Sequence, residues 1–325
     1  MVIDEYVDKL NSSIPKLIDE ETFTKVLRLN NNLCRLNILN RIALATMYNQ
    51  EIFDIKSEEE WFSVGRKVIN KKDAIYLAIP MYTTSYIDTV SGEKVEVDKF
   101  TPDELTLAIK LRVISKEDVL DKIIPYKLYD IKNTSNIDKN IVYNVPKPEI
   151  NMPDYFKIIH EITGITIEES DSSFFYEKDK VLFLSRDNYE NTLDTLTDTL
   201  LKYMIHNLTD YVVDVTNYDH LDITNKRREK LISACVKYSI KTLFGIDNRN
   251  EVIMALRYSG IVSVDELIDI LMLSDELIFN VIKYVKYSSD TLYTDISTSI
   301  NRIKKSELLL NILQANSVHN KIEGS

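Results

Sequence analysis

Residues 53–80 of the chain read FDIKSEEEWFSVGRKVINKKDAIYLAIP, and this stretch decides how the first part of the fold is organised. Ser57, followed three positions later by Glu60, forms a capping box, which predicts a helix that begins just before Trp61. The apolar run at 74–80 contains β-branched and aromatic residues and ends in proline, which predicts a strand. The expected order is therefore a helix, a turn and a strand.

The turn between this helix and this strand carries a cluster of basic side chains. The cluster consists of Arg66, Lys67, Lys71 and Lys72. One interpretation is a corner with a core tryptophan and solvated lysines, because charge runs usually face solvent. The other is a nucleic-acid surface, with cations on the phosphates and aromatic rings on the bases. Residue chemistry alone leaves both interpretations open.

Length and composition predict a globular protein with room for two ordinary domains. The chain has 325 residues, of which 44% are hydrophobic, and few glycines and prolines, which favours helices with short connections. Cys34 and Cys235 lie far apart in apolar helical contexts, so we expect buried free thiols in a reducing compartment. We see no signal peptide and no apolar run of about 20 residues, and therefore expect a soluble, cytoplasmic protein without a membrane partner.

The net charge of −11 opposes general nucleic-acid binding, because phosphate contacts need lysine or arginine. Basic residues are nevertheless clustered early in the chain, between Arg28 and Lys72, whereas acidic residues accumulate at 168–171 and 187–198. Such an asymmetry is what nucleic-acid binding by an acidic protein requires. An acidic surface also suits a protein-binding module that mimics DNA, and this alternative stays open for the C-terminal half.

Three blocks of the sequence resemble a known family. The pattern W-x-x-x-G-R-x-V-x-x-x-x-x-x-I-x-x-x-x-P, from Trp61 to Pro80, resembles the N-terminal domain of ArdC-type antirestriction proteins of conjugative plasmids, transposons and phages. An Asn-rich helix at 37–47 and a strand at 126–134 match in the same order. The resemblance covers about residues 5–135 and implies binding of single-stranded DNA. The residues implied for DNA binding are Asn37, Arg41, Trp61, Arg66, Lys67, Lys71 and Lys72.

A second resemblance concerns residues 153–247. A predicted hairpin at 174–186 and predicted helices at 191–207 and 226–244 follow the order of the zincin-like metallopeptidase domain of ArdC-type and ImmA/IrrE-type proteins. In those proteins the first long helix carries the zinc motif H-E-x-x-H, and the next helix supplies a glutamate ligand. The matching positions here are Lys202-Tyr203-Met204-Ile205-His206 and Ala234.

The zinc motif is degenerate in this chain. Lys202 stands at the first ligand position and Tyr203 at the general-base position, so only His206 matches a ligand. A catalytic zinc keeps about three protein ligands. We therefore expect no metal, no other cofactor and no enzymatic activity. The alternative is a metal-dependent peptidase with a rebuilt ligand set of His206, His220, Asp222 and Glu229.

Other local patterns predict the remaining elements. Between the strands at 74–80 and 123–131 we expect a turn at Ser91-Gly92, a helix at 101–112 and a short helix that begins at Ser115. Beyond residue 248 the apolar periodicity predicts three helices. They are Leu267–Leu273, Asp275–Tyr287 and Asp295–Gln314.

The sequence thus predicts an α+β protein of two domains with a helical extension. A small sheet with helices at 1–135 would bind single-stranded DNA, and a linker follows at 136–152. The zincin-like domain would occupy 153–247, and the helical extension 248–325. The leading hypothesis is a single-stranded DNA-binding protein of a conjugative element, plasmid or phage. Its role would be antirestriction or DNA transfer, and its second domain would be inert or would bind a protein partner.

Overall fold

The computed structural model describes residues 3–33, 36–138, 142–145, 148–176, 178–185, 189–206, 225–282 and 286–287. These residues form helices and small sheets in a mixed α+β arrangement, as the sequence predicts. The predicted helix at 295–314 lies outside the described residues, as do Cys34, His220 and Asp222.

Three helices open the chain, and the third packs against the first two. They are α1 (Ile3–Ser13), α2 (Glu20–Leu33) and α3 (Ile38–Met47), with a 3-10 turn at Ile14–Ile18 after α1. Asn37 fixes the start of α3, because its side-chain oxygen accepts the Asn40 N–H at 2.8 Å. The Asn-rich helix expected at 37–47 is thus confirmed as α3.

A long antiparallel ribbon dominates the next part of the chain. The elements are β1 (Ile55–Lys56), α4 (Glu58–Ser63), β2 (Arg66–Val68), β3 (Ile75–Asp88), α5 (Pro102–Lys110), β4 (Ile114–Asp130) and β5 (Thr134–Asn136). β4 lies between β1 and β3 in a three-stranded sheet, and β2 pairs with β5. β3 and β4 stay paired over all 14 residues of β3, with an irregularity at Met81/Tyr82. At about 3.3 Å per residue this ribbon is roughly 45 Å long.

The ribbon corrects one local prediction and confirms another. The short helix expected at Ser115 is wrong, because these residues bond their backbone groups to β3 as part of β4. The predicted turn at Ser91-Gly92 is present at the end of β3, where Gly92 adopts a φ of +72°. Its N–H donates to the Asp88 carbonyl at 2.9 Å. Residues with a side chain rarely adopt this backbone conformation, so glycine suits the position.

The second half of the chain combines a smaller sheet with helices. The elements are β6 (Pro148–Glu149), α6 (Met152–Thr163), β7 (Thr166–Ser170), β8 (Phe174–Tyr176), β9 (Val181–Ser185), α7 (Tyr189–His206) and α8 (Lys226–Leu243). β9 is the central strand, parallel to β7 and antiparallel to β8. The hairpin predicted at 174–186 is therefore confirmed as β8 and β9.

Two helices and a short strand complete the described chain: α9 (Arg249–Ser259), α10 (Val264–Ile282) and β10 (Lys286–Tyr287). The prediction of two helices, 267–273 and 275–287, is wrong, because α10 runs continuously through residue 274 and ends at 282. Neither glycine nor proline interrupts this segment, and β10 pairs with β6 instead of extending the helix. No helix in the described part of the chain is long and apolar enough to span a bilayer.

One hydrophobic core joins the two halves. α2 packs against α8 and α9, and α10 packs against α3 and the first 3-10 turn. Buried apolar side chains from Tyr6 to Val281 belong to the same cluster. Cys235 is a buried free thiol in this core, as predicted. The core therefore extends across the boundaries that the sequence predicts at 136–152 and 247.

Candidate nucleic-acid interface

Trp61 anchors the corner between α4 and β2 from the inside. The predicted capping box of Ser57 is present, and it places the indole in the core, where Trp61 is fully buried. The indole N–H donates to the Tyr129 carbonyl at 2.8 Å, and the ring of Tyr143 meets it edge-on at 5.4 Å. The ammonium of Lys56 lies 4.8 Å from the ring centre. No ring face is left for a base, so the predicted stacking on Trp61 is corrected to a core role.

Arg66 holds β2 to β5. Its Nε donates to the Thr134 hydroxyl at 2.7 Å, its Nη2 donates to the Thr134 carbonyl at 3.2 Å, and its Nη1 donates to the Asn136 side-chain oxygen. The guanidinium also lies 6.0 Å from the centre of the Trp61 ring. At least three of its five N–H donors are thus committed to the fold. Arg66 therefore stabilises the pairing of β2 with β5, and this role replaces its predicted role as a phosphate ligand.

The two site residues predicted at the N-cap of α3 and within α3 also have structural partners. The side-chain oxygen of Asn37 caps the helix. Arg41 is only 2% exposed and forms an ion pair with Asp275 on α10. A buried, paired guanidinium cannot reach a phosphate without leaving its partner. The prediction that Arg41 contacts DNA is therefore corrected to a link between α3 and α10.

Three of the predicted basic residues do reach solvent. Lys67, Lys71 and Lys72 are all exposed on β2 and on the turn that follows it. The Lys71 ammonium forms a surface ion pair with Glu58 at 2.6 Å. Surface pairs of this kind contribute little and exchange readily for other partners. These three lysines form the basic turn of the candidate interface.

Side-chain and backbone hydrogen bonds hold the basic turn in place. The side-chain amide of Asn70 makes two hydrogen bonds. Its nitrogen donates to the Asp73 carboxylate at 2.6 Å, and its oxygen accepts the backbone N–H of Lys72 at 3.1 Å. The backbone N–H of Ile69 donates to the Asn133 carbonyl at 2.9 Å. The lysines therefore project from a turn tied to the segment after β4, and binding would not have to order the backbone.

Sequence reasoning missed two lysines near this turn. Lys127, on β4, is exposed, and hydrogen bonding to Tyr129 raises its pKa, with a smaller contribution from Glu58, the partner of Lys71. Lys132 immediately precedes Asn133, whose carbonyl accepts the Ile69 N–H of the turn. The Lys132 ammonium donates to the Glu51 carbonyl at 2.6 Å. Both lysines lie more than fifty positions beyond the turn, and only strand pairing brings them near it.

Exposed apolar side chains also occur on the segments around this turn. Phe62 is 68% exposed, although its neighbour Trp61 is buried, because consecutive helical residues point about 100° apart. Phe53 and Ile69 are also exposed. Proteins bind single-stranded nucleic acids with exposed aromatic rings, which stack on bases, and with cationic side chains, which contact phosphates. We give the name basic face to a set of exposed residues on the basic turn and on the segments paired or bonded with it: Lys67, Lys71, Lys72, Lys127, Lys132 and Phe62.

The second candidate site, on α7, does not present a metal-ligand set in the described residues. Lys202 is exposed, and Tyr203 is half-buried with the Lys180 ammonium 5.5 Å from its ring centre. Ala234 on α8 is buried. The side chain of His206 lies outside the described residues. Within the described part of the chain, no three His, Cys, Asp or Glu residues group as metal ligands would.

Two ion pairs join α7 to α8 instead. The Lys237 ammonium lies 2.6 Å from the Asp198 carboxylate, and the Lys241 ammonium lies 2.8 Å from that of Asp194. The acids are four positions apart on α7, and the lysines are four positions apart on α8. The earlier acid pairs with the later lysine, so the two helices are antiparallel. Because Lys241 is buried, its pair with Asp194 would be costly to break and fixes this register.

Comparisons with known proteins give a limited set of matches. No family model matches the chain, and no curated protein does. Solved structures that resemble it include two of the antirestriction protein ArdC from plasmid R388. The metal-free structure shares 10% identity over 85% of this chain and 97% of that chain, with a TM-score of 0.39. The Mn(II)-bound structure shares 11% identity over 75% of this chain and 86% of that chain, with a TM-score of 0.34.

Proposed function

We propose that this chain binds single-stranded DNA through its basic face. The observation that carries the proposal is an exposed phenylalanine, Phe62, on a corner whose neighbouring turn presents three exposed lysines. The lysines would contact phosphates, and Phe62 would stack on an unpaired base. Such contacts tolerate any sequence, because every base has a ring face and every nucleotide a phosphate.

A single strand fits this surface better than a duplex does. An aromatic ring can stack on a base only where the base is already unstacked or must be forced out, which costs free energy in a duplex. The net charge of −11 also provides no long-range attraction for a duplex, so affinity would depend on the local contacts. We therefore expect a strong preference for single strands.

The test is fluorescence anisotropy with labelled single-stranded and double-stranded oligonucleotides over a salt series. For a single strand, the slope of log affinity against log salt changes by about 0.7 per phosphate contact. The variant Lys67→Gln/Lys71→Gln/Lys72→Gln should therefore have a slope smaller by about 2. An unchanged slope and affinity would refute the assignment of the basic turn.

The matched control removes the same charge elsewhere. Lys157, Lys178 and Lys226 are exposed, and Lys157 has a surface carboxylate partner, Asp154, as Lys71 has Glu58. Replacing these three lysines with glutamine gives the same net charge, −11 − 3 = −14, as in the test variant. We expect this control to keep the wild-type salt slope. Equal losses in both variants would show that net charge, and not the basic turn, governs binding.

The stacking contact has its own test. Phe62→Ala should weaken single-strand binding by about 1–3 kcal/mol, the range for one base stacked on an aromatic ring. Its salt slope should stay unchanged, because no phosphate contact is lost. Phe175→Ala, which removes an exposed ring on β8, is the control and should bind as the wild type does. An effect of Phe62→Ala on slope alone would contradict a stacking role.

We also propose that the unit from α6 to α8 is a zincin-like fold without catalytic activity. The support is the sequence resemblance together with the exposed Lys202 and the half-buried Tyr203 at the positions of a zinc ligand and a general base. Metal analysis of the purified protein and a peptidase assay test this proposal. Stoichiometric zinc or manganese would instead favour the rebuilt ligand set of His206, His220, Asp222 and Glu229.

The motif resemblance further suggests a role on a mobile element, in antirestriction or in DNA transfer. A transformation assay with unmodified DNA and a restricting host tests this role. Protection should require the lysines of the basic turn. If the protein does not bind DNA and yet inhibits a restriction nuclease directly, the acidic surface would be acting as a DNA mimic, and the proposal would fail.

A further inference from the structure

The far end of the β3–β4 ribbon carries a well-formed helix that lies largely in solvent. Thr101 and Glu104 form a complete capping box at the start of α5, and no residue of the helix is buried. The Thr89 hydroxyl at the end of β3 donates to the Arg112 carbonyl after α5 at 2.8 Å. The tip of the ribbon is thus held together locally, although it stands apart from the main core.

The two faces of α5 differ from those of an ordinary surface helix. Leu105, Ala108 and Ile109 are half-buried and form the inner face. Leu107 and Leu111, one turn apart, lie on the outer face and are 56% and 65% exposed. A partner that covers both leucines would remove apolar surface from water, which is favourable.

The outer face of α5 is acidic at its first turn and basic at its last turn. At 100° per residue, Asp103 and Lys110 lie on one side of the helix with Leu107 between them along the axis. Acidic residues stand at the start of α5, and basic ones, Lys110 and then Arg112, stand at its end. A surface that is acidic at one end and basic at the other is complementary to itself after a two-fold rotation.

We infer that α5 pairs antiparallel with α5 of a second copy of this chain. Asp103 of each copy faces Lys110 of the other, so the two Leu107 side chains meet at the centre, and Leu111 of each copy lies against Pro102 at the start of the other helix. The exposed Val90 and Val113 at the same tip enlarge the contact. The inference is independent of the proposed DNA binding, since none of these residues belongs to the basic face.

The size of this contact sets the expected strength. A short helix with two leucines buries less than the roughly 800 Å² per partner of a standard interface. The dimer is therefore weak, and forms with increasing concentration from the micromolar to the millimolar range. It requires no nucleic acid.

The test is sedimentation velocity of the full chain over this concentration range, with charge-reversed variants. Asp103→Lys alone, or Lys110→Glu alone, places like charges opposite each other twice and should weaken the dimer by about tenfold or more. The double variant Asp103→Lys/Lys110→Glu should dimerise again. An equimolar mixture of the two single variants should also dimerise, because each supplies the charges that the other lacks.

A second pair of measurements separates loss of contact from loss of folding. Leu107→Gln/Leu111→Gln should be monomeric at every concentration, with the wild-type circular dichroism spectrum and melting temperature, since both leucines are exposed. The inference is overturned if the wild type stays monomeric up to millimolar concentration, if the single charge variants dimerise like the wild type, or if neither the double variant nor the mixture recovers the dimer.

Discussion

The ion pair of Arg41 with Asp275 gives the sharpest test of the packing. The pair joins α3 to α10, and its side chains are 2% and 16% exposed. Removing one partner of a buried pair leaves an uncompensated charge and costs about 3–5 kcal/mol. Because Asp275 keeps some contact with water, we expect Arg41→Met to lower the free energy of unfolding by an amount near the lower end of that range.

The double variant Arg41→Met/Asp275→Leu should recover most of this loss. Two apolar side chains of similar volume at a buried site remove both charges together, which is often neutral or stabilising. Urea unfolding, followed by far-ultraviolet circular dichroism, gives the four free energies of a double-mutant cycle. We expect a coupling energy of at least about 2 kcal/mol between the two positions.

An exposed ion pair provides the control for this cycle. Arg257 on α9 holds the Glu20 carboxylate on α2 at 2.6 Å, and so also links the two halves of the chain, but at the surface. Arg257→Met should change the unfolding curve little. If Arg41→Met unfolds like the wild type, or if the two substitutions at 41 and 275 are additive, Arg41 is not buried against Asp275. It would then be available to DNA, as the sequence suggests.

Three further predictions concern single side chains. Trp61, the one tryptophan, should emit as a buried indole and resist acrylamide quenching, with or without a saturating oligothymidine; strong quenching by the oligonucleotide would show stacking after all. Burial raises the pKa of Cys235 to about 12, so in a Cys34→Ser background the remaining thiol should not react with a disulfide reagent at pH 8 until the protein is unfolded, and rapid reaction of the native protein would contradict its burial. Burial also raises the pKa of Asp130 above its ordinary value of 3.8, so the folded state binds this proton more readily than the unfolded state does. As the pH falls from neutrality toward that value, the wild type should therefore gain stability relative to Asp130→Asn, and a melting-temperature difference that is constant with pH would refute this linkage.

Local signals in the sequence located most of the elements correctly. The capping boxes at Ser57 and Thr101 are both formed, because each needs only a side chain and a backbone group three positions apart. The zinc-motif positions could likewise be judged from residue type, since a lysine and a tyrosine at 202 and 203 do not supply imidazole or carboxylate ligands. The prediction of a helix at Ser115 failed, because pairing with β3 overrode a local capping pattern.

Sequence reasoning could not distinguish buried from exposed basic residues at the candidate site. Basic type and early position suggested both Arg41 and Lys67 for DNA binding, yet the first is buried and the second is exposed. The sequence could not separate them, because the partner of Arg41 lies 234 positions away. Nothing in the sequence marked Lys127 and Lys132 as site residues. Only the pairing of β4 with β3, and the bonding of the segment after β4 to the turn, bring them near it.

The sequence by itself determined the capped helices α4 and α5, the basic turn, the degenerate zinc motif and the acidic balance, all of which depend on residue type and short spacing. The tertiary structure decided which of those residues meet solvent. It buried Trp61, whose indole N–H bonds to the Tyr129 carbonyl and whose ring contacts Tyr143. It also bonded Arg66 to β5 and left Phe62 exposed one position from the tryptophan. The physical reason is that solvent exposure depends on contacts with segments remote in the chain, whereas capping and periodicity depend on neighbours.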